Sequence, residues 1–295
     1  MKITHNIFTF FVLLLISGIA QATQLPGPLV ETNWLSENLS EVTILDVRGD
    51  IQSFTSEPKF AKDKKTGKQQ LVRIGGHIPN ARLINFKDVR ADRKIGEKTV
   101  KNLLPEKSAF EKLLQNAGVK KDDAIVIVSE GVGGGDILMS TRLYWQIKYY
   151  GHDNLSILNG GMAQWLLENR KVNTKPSKVS SGDWVATAER DEILATSDEV
   201  AAASKESLQL VDIRPISQYL GTSKSSSASK YGHISGAKNV PTELIFKSGF
   251  PTTLASNKVA EQLINALDIE VADNKITYCN TGNMASGGWF LFSEI

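Results

Sequence analysis

The stretch Lys275-Ile276-Thr277-Tyr278-Cys279-Asn280-Thr281-Gly282-Asn283-Met284-Ala285-Ser286 runs from an apolar segment through small polar residues into a helix-forming one. Residues 275–278 predict a short buried strand and residues 285–292 a helix, with Gly282 in the turn between them. A tight strand-to-helix loop aims successive backbone N–H groups, and the positive end of the helix dipole, into one small bowl. Cys279, the only cysteine of the chain, stands at that bowl, where such surroundings favour a reactive thiolate. A lone cysteine after an apolar strand is also a common small core residue. Position alone therefore makes Cys279 a candidate nucleophile and no more.

Working outward, apolar runs at 42–48, 124–128 and 155–158 predict strands, and helices are expected at 32–38, from Pro105 to just before Gly118, around Leu143, Trp145 and Ile147, and from the turn at 159–161 to Asn169. Strands that are apolar throughout, alternating with helices, indicate an α/β fold with a parallel sheet covered on both faces. The lysine-rich residues 57–70 carry no apolar period and predict an exposed loop. Gly133-Gly134-Gly135 is not followed by Lys-Ser or Lys-Thr, so it reads as a flexible loop and not as a phosphate cradle.

The second half repeats the first. Leu210-Val211-Asp212-Ile213-Arg214 answers Leu45-Asp46-Val47-Arg48, and Tyr231-Gly232-His233-Ile234-Ser235-Gly236-Ala237 answers Gly75-Gly76-His77-Ile78-Pro79-Asn80-Ala81. In this register Ser129 lies opposite Cys279, so one copy has the thiol and the other does not. The expected organisation is a first domain at 23–170, a linker of Lys, Ser, Pro and Gly at 171–183, and a second domain at 184–295. After its own loop the first copy continues through Trp145, the 155–158 strand and Trp165. Nothing in the second copy answers that segment, so the second domain is expected to be truncated and its last strand and helix missing.

Charge excludes some partners. Lys and Arg number 34 against 32 Asp and Glu, which leaves no basic footprint for nucleic acid. Met1-Lys2, the apolar run at 7–16 and Ala20-Gln21-Ala22 read as a signal peptide over 1–22, cleaved after Ala22. The mature chain is then expected in the periplasm or outside the cell, with no membrane segment remaining. In an oxidising compartment a single thiol has no internal disulfide partner, which favours a chemical use for Cys279. His5, His77, His152 and His233 show no metal-ligand spacing, so no metal or other cofactor is expected.

Taken together, the two Asp-x-Arg strands, the segment Tyr219-Leu220-Gly221-Thr222, the two Gly-His-Ile turns and the loop from Cys279 to Ser286 resemble the tandem-domain rhodaneses, the thiosulfate and 3-mercaptopyruvate sulfurtransferases. The resemblance implies two rhodanese-like domains, each a mostly parallel sheet flanked by helices, the first non-catalytic and the second catalytic. It implies that Cys279 takes a sulfane sulfur from thiosulfate or 3-mercaptopyruvate as a persulfide and passes it to a thiol or cyanide acceptor. The amides of Asn280, Thr281, Gly282, Asn283, Met284 and Ala285 would hold that persulfide. Where thiosulfate-using members commonly carry basic residues this loop is neutral, and Gln218 stands where an arginine is common. Arg214 is the candidate for the donor's negative charge; an ion pair with Asp212 or Glu243 is its competing role. His233 reads as a structural turn histidine. A cysteine phosphatase would need arginine at the position held by Ala285, which removes that class. The alternative to an enzyme is a non-catalytic periplasmic sulfur carrier or an inactive truncated copy.

Overall fold

Every residue from Thr43 to Arg48 is buried, as a strand in the middle of a sheet covered on both faces must be. The computed structural model describes residues 23–203, 208–269 and 275–295, and the signal peptide expected at 1–22 lies outside them. In chain order the first half contains β1 (Leu29–Val30), β2 (Thr43–Arg48), the hairpin of β3 (Lys59–Lys62) and β4 (Gln69–Arg73), and β5 (Arg82–Asn85). A second hairpin of β6 (Ala91–Ile95) and β7 (Lys98–Leu103) follows, then β8 (Ile125–Val128) and β9 (Leu155–Leu158). β1, β9, β8, β2 and β5 lie side by side in that order, all parallel.

Four helices cover this sheet: α1 (Thr32–Glu37), α2 (Lys107–Asn116), α3 (Gly134–Tyr149) and α4 (Gly161–Leu167). Strand alternation divides them between the faces. Val126 and Val128 of β8 pack with Leu35 of α1 and with Met162 and Trp165 of α4, whereas Ile125 and Ile127 pack with Phe110 and Leu114 of α2 and with Leu143 of α3.

The second half adds α5 (Ser197–Ala202), β10 (Gln209–Asp212), α6 (Ile216–Tyr219), β11 (Lys238–Asn239), the hairpin of β12 (Phe246–Lys247) and β13 (Thr253–Leu254), α7 (Asn257–Ala266), β14 (Lys275–Tyr278) and α8 (Asn283–Ser293). Its sheet is β11-β10-β14, parallel, which is the arrangement β5-β2-β8 of the first half over again. β8 has a neighbour on each side; among the described residues β14 is hydrogen-bonded only to β10. Val211, Ile213, Phe290 and Leu291 join the same buried cluster as Leu143 and Tyr144, so the two halves share a core across α3 and α8.

Three expectations are corrected. Residues 57–70 are not a bare loop: they belong to the exposed antiparallel pair β3 and β4, whose turn is held by Asp63 accepting from the N–H groups of Lys65 and Thr66. Gly134 and Gly135 are not a flexible loop but the first turn of α3, with the Asp136 carboxylate accepting from the N–H groups of Val132 and Gly133. A side chain at Gly134 would strike the Phe246 ring, which explains a small residue there. Packing of the first unit also runs further along the chain than the 171–183 linker implies: Trp184 is buried edge-on against Phe110, and its indole N–H donates to His152.

That continuation is fastened at Arg190, whose two terminal nitrogens donate to the Asp153 carboxylate at 2.7 and 2.6 Å. The hydrogen bonds from Arg190, against a smaller opposing effect of burial, hold the Asp153 carboxyl down at about 2. A depressed acid stabilises the fold above its unfolded value of about 3.9 and loses that contribution as pH falls through about 2. The Asp153 side chain is 60% exposed, so solvent screening limits the effect. Asp153→Asn is expected to lose roughly 0.5–1 kcal/mol in urea unfolding at neutral pH, and the difference from the parent should shrink steadily as the acid is titrated.

Candidate active site

β14 ends at Tyr278, and after four intervening residues α8 begins at Asn283. Gly282, at φ 89°, makes the turn in the left-handed region and caps the helix with its backbone alone. Its N–H donates to the Cys279 Sγ at 3.1 Å, so the thiol sits over the positive end of an eleven-residue helix. Two bonds hold the bend: Thr277 Oγ1 donates to the Ala285 carbonyl at 3.0 Å, and Asn280 Nδ2 donates to Gln218 Oε1 at 2.9 Å. Cys279 itself is half-buried.

The small residues that follow let α8 lie close against α3. A Cβ on Gly287 would come within 2.5 Å of Leu138 Cδ2. Thr141 and Ser286 hydroxyls meet at 3.0 Å, Tyr144 stands edge-on to Phe290, and the Tyr144 hydroxyl donates to Glu294 at 2.7 Å. This docking brings Arg142 of α3 to the cysteine loop. A side chain at Gly282 would collide with Arg142 Nη1, and Arg142 and Cys279 line the same 510 Å³ cleft between the halves.

Arg142 is 6% exposed, its Nε has no hydrogen-bond partner, and its guanidinium lies 5.1 Å from the Trp145 ring centre. Burial lowers its pKa to about 10, an effect that Cys279 opposes and Arg90 reinforces. It therefore stays charged at neutral pH, at a cost in desolvation that an exposed guanidinium does not bear. A cation kept at that cost beside a thiol can meet an anion.

Of the residues singled out by sequence, Cys279, Asn280, Thr281, Gly282 and Ala285 line the cleft; Asn283 and Met284 do not, and Met284 packs against the core. The expectation for Arg214 is corrected. Its Nε and Nη2 bind Asp212 at 2.9 and 2.5 Å, and Nη2 also donates to the Gly232 carbonyl, so it holds the end of β10 to the Gly-His turn and does not line the cleft. Arg48 does the same in the first copy with Asp46 and the Gly76 carbonyl. His77 stacks on Phe54 and His233 on Tyr219, each locking its turn. At the position matching Cys279, Ser129 is 1% exposed, and the next residue, Glu130, accepts from Ser53 close to Arg48.

Arg142 escaped the sequence reading because its role depends on how two distant helices dock. One signal was available: it is a cation in an apolar helix, with Leu138, Met139, Trp145 and Gln146 at the three- and four-residue spacings where a carboxylate partner would stand.

Residues 31–168 and 196–294 each match the model of the rhodanese-like domain. A provisionally named thiosulfate sulfurtransferase of Saccharopolyspora erythraea is 27% identical over 90% of this chain and 86% of its own. The sulfur carrier protein TtuD of Thermus thermophilus is 25% identical over 92% of this chain and 88% of its own. In fold, SseA from Escherichia coli, a 3-mercaptopyruvate sulfurtransferase, superimposes with a TM-score of 0.69 at 18% identity, over 90% of this chain and 93% of that one. With two matched segments that together span most of its length, the chain belongs to the rhodanese family.

Proposed function

We propose that the protein is a sulfurtransferase in which Cys279 carries the sulfur. The observation that carries this reading is the Gly282 N–H directed at the Cys279 Sγ, with a buried cation in the same cleft. The thiolate attacks the outer sulfur of thiosulfate; the sulfur–sulfur bond breaks, and its electron pair leaves with sulfite. With 3-mercaptopyruvate the carbon–sulfur bond breaks instead, and the carbon takes the pair and a proton to give pyruvate. Attack by cyanide or a thiol on the outer persulfide sulfur then returns Cys279 as thiolate. A weakly basic leaving group such as sulfite favours the first step, and N–H groups at the helix end stabilise the persulfide anion. The names of the sulfurtransferase relatives support this assignment.

The second reading, a carrier that holds the sulfur for a protein acceptor, is favoured by the likeness to the sulfur carrier of Thermus thermophilus. Purified protein is to be incubated with thiosulfate or 3-mercaptopyruvate and then cyanide, with Cys279→Ser as the control. Cysteine-dependent thiocyanate release that continues over many turnovers is the result expected of the enzyme. A single sulfur atom added to the intact mass, without turnover, would indicate the carrier. Neither signal would end both readings.

Export belongs to the same proposal. Cleavage after Ala22 leaves a short N-terminal lead that is already fastened: the Thr23 carbonyl accepts from Asn154 Nδ2, and the Leu25 N–H donates to Asn154 Oδ1. N-terminal sequencing of protein recovered from the periplasm should begin at Thr23, and a chain retained with Met1 inside the cell would count against export.

A further inference from the structure

Three arginines are buried among the described residues, and two of them are matched: Arg48 with Asp46, and Arg214 with Asp212. Arg142 is the third. No carboxylate within the described residues pairs with it, its Nε is without a partner, and it presses on the loop that holds the thiol. A buried guanidinium without a counter-ion is a fault in a core but a receptor in a cleft.

The loop itself is neutral. Asn280, Thr281 and Met284 bring no charge, Gln218 is spent on Asn280, and Arg214 is spent on Asp212. Lys101, Lys107 and Arg93 also border the cleft, but Arg93 is bound to Glu106 at 2.6 Å. An anionic donor entering the cleft therefore meets one buried, unmatched cation next to Cys279. The geometry points to Arg142, supplied by the first domain, as the specificity-determining residue that seats the negatively charged group of the sulfur donor. The group it takes is a planar or trigonal oxyanion, a carboxylate or a sulfonate-type head, which a guanidinium can grip through two parallel N–H donors. The Trp145 ring fixes the orientation of that fork, and Arg90 adds a second positive charge nearby. In this site the nucleophile belongs to one copy of the repeat and the anion receptor to the other.

This inference rests on the sulfurtransferase reading for its substrate, but its test does not need turnover. Cys279 is to be alkylated with iodoacetate, an anion, and with iodoacetamide, its neutral counterpart, and the ratio of the two rates taken. Loss of a charge-assisted contact should lower that ratio at least about 10-fold in Arg142→Gln, while Arg142→Lys, which keeps the charge but not the two-pronged fork, should fall between Arg142→Gln and the parent. Sulfate should protect the parent from iodoacetate and should not protect Arg142→Gln. Circular dichroism of both variants establishes that they fold; if Arg142→Gln does not, a lowered ratio and weaker sulfate protection in Arg142→Lys carry the test. Equal slowing of both reagents in Arg142→Gln would show that Arg142 acts on the thiol and not on the incoming anion, and an unchanged ratio would leave it a packing residue; either overturns the proposal. Two kinetic arms then separate the oxyanions. A rise in KM for thiosulfate with little change for 3-mercaptopyruvate assigns the sulfonate-type head, and the reverse assigns the carboxylate. A protein that shows the alkylation effect but releases no thiocyanate would keep the anion site and discard the sulfurtransferase reading.

Discussion

Replacing Gly282 by alanine is expected to cut turnover roughly 100-fold in a protein that still folds. Two penalties coincide at this position. The left-handed backbone at φ 89° costs an alanine about 1–2 kcal/mol, and the new methyl group would stand where the Arg142 guanidinium now lies. Relief requires the loop to withdraw from α3 or Arg142 to swing away, and either movement separates the thiol from the cation and tilts the Gly282 N–H off the Sγ. The backbone cost is small beside the stability of a domain, but a shift of an ångström in a reacting group is not. Steady-state thiocyanate formation and the rate of Cys279 alkylation, measured beside a urea unfolding curve, check the claim. Near-parental rates would mean that the loop geometry around the sulfur is not critical.

The second large effect is on stability. Asp46→Ala is expected to destabilise the protein by about 3–5 kcal/mol, because it leaves Arg48, with no exposed surface, without the carboxylate that receives its Nε and Nη2 at 2.7 Å each. Arg48 would keep Ser53 and the Gly76 carbonyl, with Glu130 at 4.0 Å and the more distant Asp50 as weaker negative charges nearby. The cost comes from a stranded charge and not from a lost contact, so removing the charge too should return much of the loss. Asp46→Ala combined with Arg48→Met is accordingly expected to unfold at a higher denaturant concentration than Asp46→Ala alone. A double variant less stable than the single one would contradict this account of the pair.

The fold was largely legible in the sequence, and the reason is visible in β8. Ile125, Val126, Ile127 and Val128 are all buried because helices cover both faces, so an unbroken apolar run states the environment directly. The repeat was legible too, because Asp46 with Arg48 and Asp212 with Arg214 solve the same problem at the same strand end, tying strand to turn. What escaped was set by contacts between distant segments. The pairing of β3 with β4 joins polar residues on the surface and leaves no apolar period to read. Trp184 directly follows the stretch of linker-like composition, where the second domain is expected to begin, yet it packs beside Phe110 of the first.

The same distinction divides the site. Cys279 and its glycine turn are contiguous, so spacing exposes them. Arg214 looked like a donor ligand because it is a cation in the Asp-x-Arg motif of the copy that carries the thiol, and only the Asp212 geometry shows it committed elsewhere. Arg142 lies far from Cys279 along the chain, in a helix whose neighbours are Leu143, Tyr144 and Trp145. The one local sign, a cation without a carboxylate at helical spacing, says nothing of where it points.

The docking of α8 on α3 also has a consequence in time. A chain made from its N-terminus completes the α3 unit while the thiol is still unsynthesised, and domains generally fold as they emerge. Arg142 at that stage is an exposed cation on the flank of α3, and it loses its water only when α8 arrives carrying Cys279 at its head. The cation is therefore made before the thiol, and the two meet only when α8 docks on α3.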